Sequence, residues 1–216
     1  MSEDLIDLIF LNLNIRHLIH LMNQNIGNIE LIIGCMFSGK TTQLINTIKR
    51  YRSIGQSVMV INYKDDTRYG DNQVISHDKW GVESINIEHL IELKSSWLEL
   101  YQKCSIICIN EAQFFGDLKK YCLDFCNNDH KKIILCGLDG DYKQDPFGEI
   151  LDLIPHADEI TRLHAFCKVC NNGTKAYFTK RTNTKTDRIL IGGSEEYIPV
   201  CRFHLNSRNL EARLTI

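Results

Sequence analysis

The sequence has no run of apolar residues long enough to cross a bilayer, for which about 18 are needed. It also lacks a basic start. Met1-Ser2-Glu3-Asp4 is acidic, the reverse of the positive segment that opens a secretory signal. An excess of charge of either sign is missing too. Lys and Arg number 25 against 27 Asp and Glu, a formal net charge of −2, so no overall field draws the chain to nucleic acid or to an anionic membrane. Cysteine is plentiful but unpaired in pattern: nine, an odd number at scattered positions, do not read as a disulfide framework. With no signal for export, they predict a reducing compartment, the cytoplasm. The 216 residues suit one main domain with a small appendage.

What is present is organised around residues 30–42. Gly34-Cys35-Met36-Phe37-Ser38-Gly39-Lys40-Thr41 satisfies G-x-x-x-x-G-K-[ST], the phosphate-binding P-loop. An apolar run (Ile29, Leu31, Ile32, Ile33) enters it as a buried strand. Leu44, Ile45 and Ile48 leave it with helical spacing. In such a turn successive backbone N–H groups converge on phosphate oxygens, and the helix N-terminus adds its positive end. Lys40 would reach the β- and γ-phosphates of ATP, and the Thr41 hydroxyl would help to hold Mg²⁺.

Further strands are predicted over 57–62, 105–109 and 132–138, and helical spacing over 88–103, 115–127 and 150–160. Alternation of this kind predicts a parallel α/β sheet with helices on both faces. The polar loop after the second strand carries Asp65, Asp66 and Arg68. All three are candidates for the site, because a loop at a strand's C-terminal end is where such sheets bind ligands, but taken alone the loop reads better as a solvated loop with a local Asp–Arg pair. The strand over 105–109 ends in Asn110-Glu111, where a P-loop enzyme places an acidic residue near the metal. Cys122 and Cys126 share the apolar face of a helix and read as small core residues.

The last quarter differs. Cys167-Lys168-Val169-Cys170 and Cys201-Arg202-Phe203-His204 are two knuckles offering three thiolates and an imidazole, the ligand set of a closed structural Zn²⁺ site. The 30 residues between them exceed ordinary zinc-ribbon spacing, so a long loop should protrude from a metal-clamped base. The expected organisation is an extension over 1–25, a P-loop domain over 26–162, a zinc subdomain over 163–206 and a tail over 207–216. The extension is apolar, interrupted by Asn12, Asn14, Arg16 and His17. It could be a helix on the core, a partner contact or a tail, and is expected to be dispensable for chemistry.

Together these motifs resemble the type II thymidine kinases, from about Asn28 to His204. The P-loop carries the family's Met-Phe-Ser ahead of Gly-Lys. The segment over 64–69 is similar to its Lys-Asp-Thr-Arg-Tyr loop, and Glu111-Ala112-Gln113-Phe114-Phe115 matches a further family motif. Gly137-Leu138-Asp139 with Pro146-Phe147, Phe178-Thr179-Lys180-Arg181, and Ile191-Gly192-Gly193-Ser194 with Tyr197 complete the set. The resemblance implies ATP on Gly34, Cys35, Met36, Phe37, Ser38, Gly39, Lys40, Thr41 and Thr42, with Asp66 and Asn110 near Mg²⁺. It implies Glu111 as general base towards the nucleoside 5′-hydroxyl, with Arg68 and Lys40 neutralising charge on the phosphoryl group. Thymine would lie among Met36, Phe114, Leu138, Tyr142, Phe147, Thr179 and Tyr197, under a closing loop bearing Ile191, Gly192 and Gly193. A homotetramer and feedback inhibition by thymidine triphosphate are implied as well.

Two residues depart from the family pattern. Asn110 stands where Asp is usual, removing a charge near the metal, and Tyr142 stands where Phe is common. A helicase-like nucleic-acid motor is opposed by the near-neutral charge and by a length too short for two motor domains. An inactive regulatory relative has only Asn110 in its favour, against intact Lys40, Thr41, Arg68 and Glu111.

Overall fold

The computed structural model describes residues 26–65, 73–75, 81–182 and 195–207. The expectations placed on 1–25, on Asp66 and Arg68, on Ile191, Gly192 and Gly193, and on 208–216 lie outside these residues. Among the described residues no helix is long and apolar enough to cross a membrane.

The strands are β1 (Asn28–Gly34), β2 (Val58–Tyr63), β3 (Gln73–Ile75), β4 (Gly81–Glu83), β5 (Ile85–Ile87), β6 (Ile106–Ile109), β7 (Lys132–Gly137) and β8 (Glu159–Leu163). Six of them form one sheet in the order β5-β2-β6-β7-β1-β8, every neighbouring pair parallel. The central strands are covered on both faces, which is why they read as continuous apolar runs; all four residues of β6 are buried. Helix α1 (Lys40–Ser53) lays Leu44, Ile45 and Ile48 on one face, against Ile32, Val60, Cys108 and Ile134. The other face is covered by α2 (Leu98–Lys103) and α3 (Leu118–Asn127), which bring Tyr101, Leu118, Cys122 and Phe125 onto Ile107, Ile109, Ile133 and Leu135. Cys122 and Cys126 lie in that core, and burial raises both thiols above their ordinary range.

Two expected helices take other forms. Over 88–103 the chain makes a short 3₁₀ turn, Leu90–Lys94, and then α2. The break falls at Ser95, whose hydroxyl donates to the carbonyls of Ile91 and Glu92 and so competes for the acceptors of the turn. The turn is held instead by Asp117, whose carboxylate accepts the N–H groups of Leu90 and Ile91, and by Lys94 reaching Asp124 and Asp129. Over 150–160 a 3₁₀ turn containing Pro155 ends at His156, and Ile160 belongs to β8, a strand the helical spacing concealed. Asp158 makes the change: its N–H donates to the Ile29 carbonyl and its carboxylate accepts the Ile29 N–H, both at 2.8 Å. That clip lays the following residues alongside β1.

Beyond β8 come two antiparallel pairs, β9 (Ala165–Phe166) with β10 (Lys175–Ala176), and β11 (Phe178–Arg181) with β12 (Tyr197–Val200). A short helix, α4 (Arg202–Asn206), follows. Their apolar centre is Ala165, Cys167, Ala176, Ile198, Val200 and Cys201, and Cys35 of the P-loop belongs to it.

The loop after β7 returns over the turn that follows β6 at Gly148, which has φ 63° and no room for a side chain. A Cβ there would lie 2.0 Å from the carbonyl oxygen of Gln113. Gly148→Ala should therefore cost about 2 kcal/mol of unfolding free energy or more, read as a lower urea midpoint with an unchanged slope.

Candidate active site

The chain crosses the sheet's C-terminal edge at four neighbouring points: after β1 into the P-loop, after β2, after β6 into Asn110-Glu111, and after β7 into Leu138. Parallel α/β sheets bind ligands at this edge. In the P-loop Lys40 opens α1, and its Nζ folds back to donate to the Cys35 carbonyl at 2.7 Å, which also accepts the Ser38 hydroxyl at 2.9 Å. Phe37 holds φ 64°, a conformation rarely adopted by residues with side chains. Cys136 lies beneath the loop, within the influence of Lys40, Glu111 and Thr41. Burial pushes its thiol up to about 12.

The P-loop is attached to the small module by two hydrogen bonds. The Met36 N–H donates to Thr179 Oγ1 at 3.0 Å, and the buried Cys35 thiol donates to the Ala176 carbonyl at 3.4 Å. Thr179 is therefore a partner of the P-loop backbone.

Glu111 follows β6 directly and takes φ 50°, ψ 41°. This left-handed turn is costly for a residue with a side chain. Gln113, only 2% exposed, holds it: its Nε2 donates to Glu111 Oε2 at 2.6 Å and its Oε1 accepts the Leu138 N–H at 3.0 Å. Gln113 thus ties the carboxylate to the end of β7. The motif containing Gln113 is visible in the sequence, but its role needs a partner 25 positions away. Asn110, 4% exposed, donates from Nδ2 to Asn62 Oδ1 at 2.9 Å, and its Oδ1 has no hydrogen-bond partner among the described residues.

Two aromatic groups complete the edge. Phe114 stacks on Tyr63 with centroids 5.2 Å apart and meets Phe147 edge-on at 5.4 Å. Tyr63 was not among the sequence candidates. The Arg181 guanidinium lies 3.9 Å from the centre of the Tyr142 ring and donates from Nη2 to the Tyr197 hydroxyl at 2.6 Å. Arg181 is a second residue that sequence reasoning quoted without assigning it a role.

The two knuckles converge. His204 Nδ1 lies 3.5, 3.3 and 3.4 Å from the sulfurs of Cys167, Cys170 and Cys201, and the Cys170 and Cys201 sulfurs are 3.8 Å apart. All four ligand atoms fall within 4.8 Å of one another, a group that could hold a metal ion. Burial disfavours the Cys167 thiolate, but the backbone N–H groups of Cys170, Cys201 and Val169 outweigh it and bring its pKa to about 6. Lys180 Nζ donates to the carbonyls of His204, Leu205 and Ser207, closing the C-terminal end of the helix that carries His204.

A family model described as thymidine kinase matches residues 27–205, nearly the whole described chain. The chain belongs to the thymidine kinase family. It is 45% identical to thymidine kinase a of Arabidopsis thaliana over 179 residues, which are 82% of this chain and 74% of the relative. It is 39% identical to thymidine kinase 1 of Dictyostelium discoideum, over 90% of this chain and 85% of the relative. The thymidine kinase of Variola virus is also 39% identical, over 82% of this chain and 96% of the relative. Residues 27–205, which the family model matches, contain the P-loop, Glu111 and the Cys₃His group.

The attachment of the P-loop can be tested directly. Thr179→Val keeps the shape of the side chain and leaves the Met36 N–H without its acceptor. A lost hydrogen bond of this kind is worth about 1 kcal/mol or more, so ADP affinity by calorimetry should fall several-fold.

Proposed function

We propose that this member of the thymidine kinase family transfers the γ-phosphoryl group of ATP to the 5′-hydroxyl of thymidine. The observation that carries the reading is Glu111, held by Gln113 on the same sheet edge as Lys40 and the P-loop. Phosphoryl transfer needs a base for the attacking hydroxyl, cationic groups for the charge on the transferred group, and accurate placement of both substrates. Glu111 takes the proton of the 5′-hydroxyl as it attacks. Lys40 and Arg68 neutralise the transferred group, and backbone N–H groups over 34–42 bind the remaining phosphate oxygens. Thymidine lies among Met36, Phe114, Leu138, Tyr142, Phe147, Thr179 and Tyr197, with Ile191, Gly192 and Gly193 closing over it, and Thr179 also accepts the Met36 N–H.

Two metal ions fit the residues. The Asn110 Oδ1 is a buried acceptor without a partner in the described structure, suited to the water shell of Mg²⁺ beside Thr41 and Asp66. Mg²⁺ would supply charge neutralisation on the phosphates. For Zn²⁺ bound tetrahedrally by thiolate and imidazole, ligand atoms lie roughly 3.6 Å (S to N) and 3.8 Å (S to S) apart. The three sulfur-to-nitrogen spacings at His204, 3.3 to 3.5 Å, and the Cys170–Cys201 spacing of 3.8 Å lie close to those values. Zinc would be structural here, fixing both ends of the loop that closes on the nucleoside and reducing the order still to be gained on binding. The reading extends to a kinase unit over 26–162 with a zinc unit over 163–206, a cytoplasmic location, assembly as a homotetramer and inhibition by thymidine triphosphate. No nucleic acid or membrane partner is part of it.

Transfer of labelled γ-phosphate from ATP to each deoxynucleoside in turn tests the reaction. Thymidine should be the preferred acceptor, and Glu111→Gln should lose about 10²-fold or more in kcat, as expected for a positioned base. No transfer to any deoxynucleoside would refute the reading. Cys170→Ser should lower bound zinc, measured by elemental analysis, together with soluble yield. A fully soluble, zinc-free variant would dismiss the clamp.

A further inference from the structure

Arg181 is 8% exposed, and a buried guanidinium persists only where its charge and its donors are matched by its surroundings. Two of its contacts are specific. The plane covers the face of Tyr142, with the guanidinium carbon 3.9 Å from the ring centre, and Nη2 donates to the Tyr197 hydroxyl at 2.6 Å. The two tyrosines come from different parts of the fold. Tyr142 is on the loop that follows β7 of the main sheet. Tyr197 opens β12 of the small module, directly opposite Arg181 in the antiparallel ladder. One side chain on β11 therefore fixes a ring plane contributed by the main sheet and a hydroxyl contributed by the module. Cation–π attraction grows as the site is desolvated, so a contact this close on a buried side chain is of the stronger kind.

We propose that Arg181 is a positioning residue for the nucleoside: it sets the plane of Tyr142 and the hydroxyl of Tyr197 so that the pyrimidine base enters a pocket already in shape. The inference rests on the thymidine kinase reading above. Arg181 acts through the tyrosines and takes no part in phosphoryl transfer. Its effect falls on nucleoside affinity and leaves nucleotide affinity as it is, because the P-loop is held by Thr179 and by the packing of Cys35. Lysine is a poor substitute. It keeps the charge but has neither the plane that covers Tyr142 nor the fork that reaches Tyr197 at the same time.

The test is equilibrium binding of thymidine and, separately, of ADP to the full chain by calorimetry. The proteins are the unsubstituted chain, Arg181→Met, Arg181→Lys, Tyr197→Phe and the double variant Arg181→Met/Tyr197→Phe. Arg181→Met should weaken thymidine about tenfold, a loss of about 1.4 kcal/mol, with ADP within twofold of the unsubstituted value. Arg181→Lys should recover part of the loss. Tyr197→Phe should weaken thymidine by a smaller factor, and the double variant should bind no worse than Arg181→Met, because the two substitutions remove the same contact. Unchanged thymidine affinity in Arg181→Met overturns the proposal. So does equal weakening of thymidine and ADP, which marks a general loss of structure, and so does strict additivity in the double variant. Should the Arg181 variants fail to fold, Tyr197→Phe decides the matter, since it removes one oxygen and keeps the ring; full thymidine affinity there overturns the proposal. Failure of the underlying reading is seen separately, as an unsubstituted chain that neither binds nor phosphorylates thymidine.

Discussion

The alternation of side chains along β11 is the constraint on which the rest of the site depends. Successive residues of a strand point to opposite faces, and this four-residue strand uses both. Thr179 and Arg181, two apart, reach the P-loop backbone and the tyrosine pair. Lys180, between them, turns away to close the helix that carries His204. Phe178 lies under the guanidinium of Arg202 on that same helix, 4.4 Å from it. A shift of one residue in the β11–β12 register would exchange these faces, placing Lys180 against the P-loop and Arg181 against the helix that carries His204. Cys201 of the Cys₃His group follows the last residue of β12 directly. The P-loop, the tyrosine pair and the Cys₃His group are therefore all reached from one short piece of backbone.

The same economy blurs the boundary between the sheet and the module. Cys35 sits in a phosphate-binding loop, yet its side chain is part of the apolar centre built from Ala165, Cys167, Ala176, Ile198, Val200 and Cys201. The loop's second residue is a component of a core that contains two cysteines of the Cys₃His group. A P-loop is commonly described as a property of one strand and one helix. Here its conformation also depends on a module encoded some 130 positions later, joined by a hydrogen bond that spans 143 residues.

Much of this was legible in the sequence, for a definable reason. Strands β1, β2, β6 and β7 are buried on both faces and announce themselves as apolar runs; the P-loop and the two knuckles are local patterns whose spacing follows from coordination and turn geometry. What could not be read depends on distant partners. Ile160 has helical spacing from Ile150 and Leu153, and only the clip between Asp158 and Ile29 makes its segment a strand. Residues 88–103 have a continuous helical period, and the break at Ser95 comes from a side chain competing for carbonyls that periodicity does not register. Tyr63, Gln113 and Arg181 belong to the site through contacts that no window of sequence contains. Thr179 is quoted in the sequence among the residues around the base, and its hydrogen bond to the Met36 N–H is a contact that only the fold shows.

Gln113 has a consequence for how such a chain can change over time. Its amide bridges Glu111 and Leu138, its carbonyl faces Gly148, and a Cβ on Gly137 would lie 2.6 Å from its Oε1. Positions 111, 113, 137 and 148 therefore touch through one residue, and substitutions among them should not add independently. Neutral drift can move the residues around this set with less coupling than the members of the set have with one another. Around a carboxylate tied to its neighbours in this way, change is easier in the loops above the sheet edge than at the edge itself.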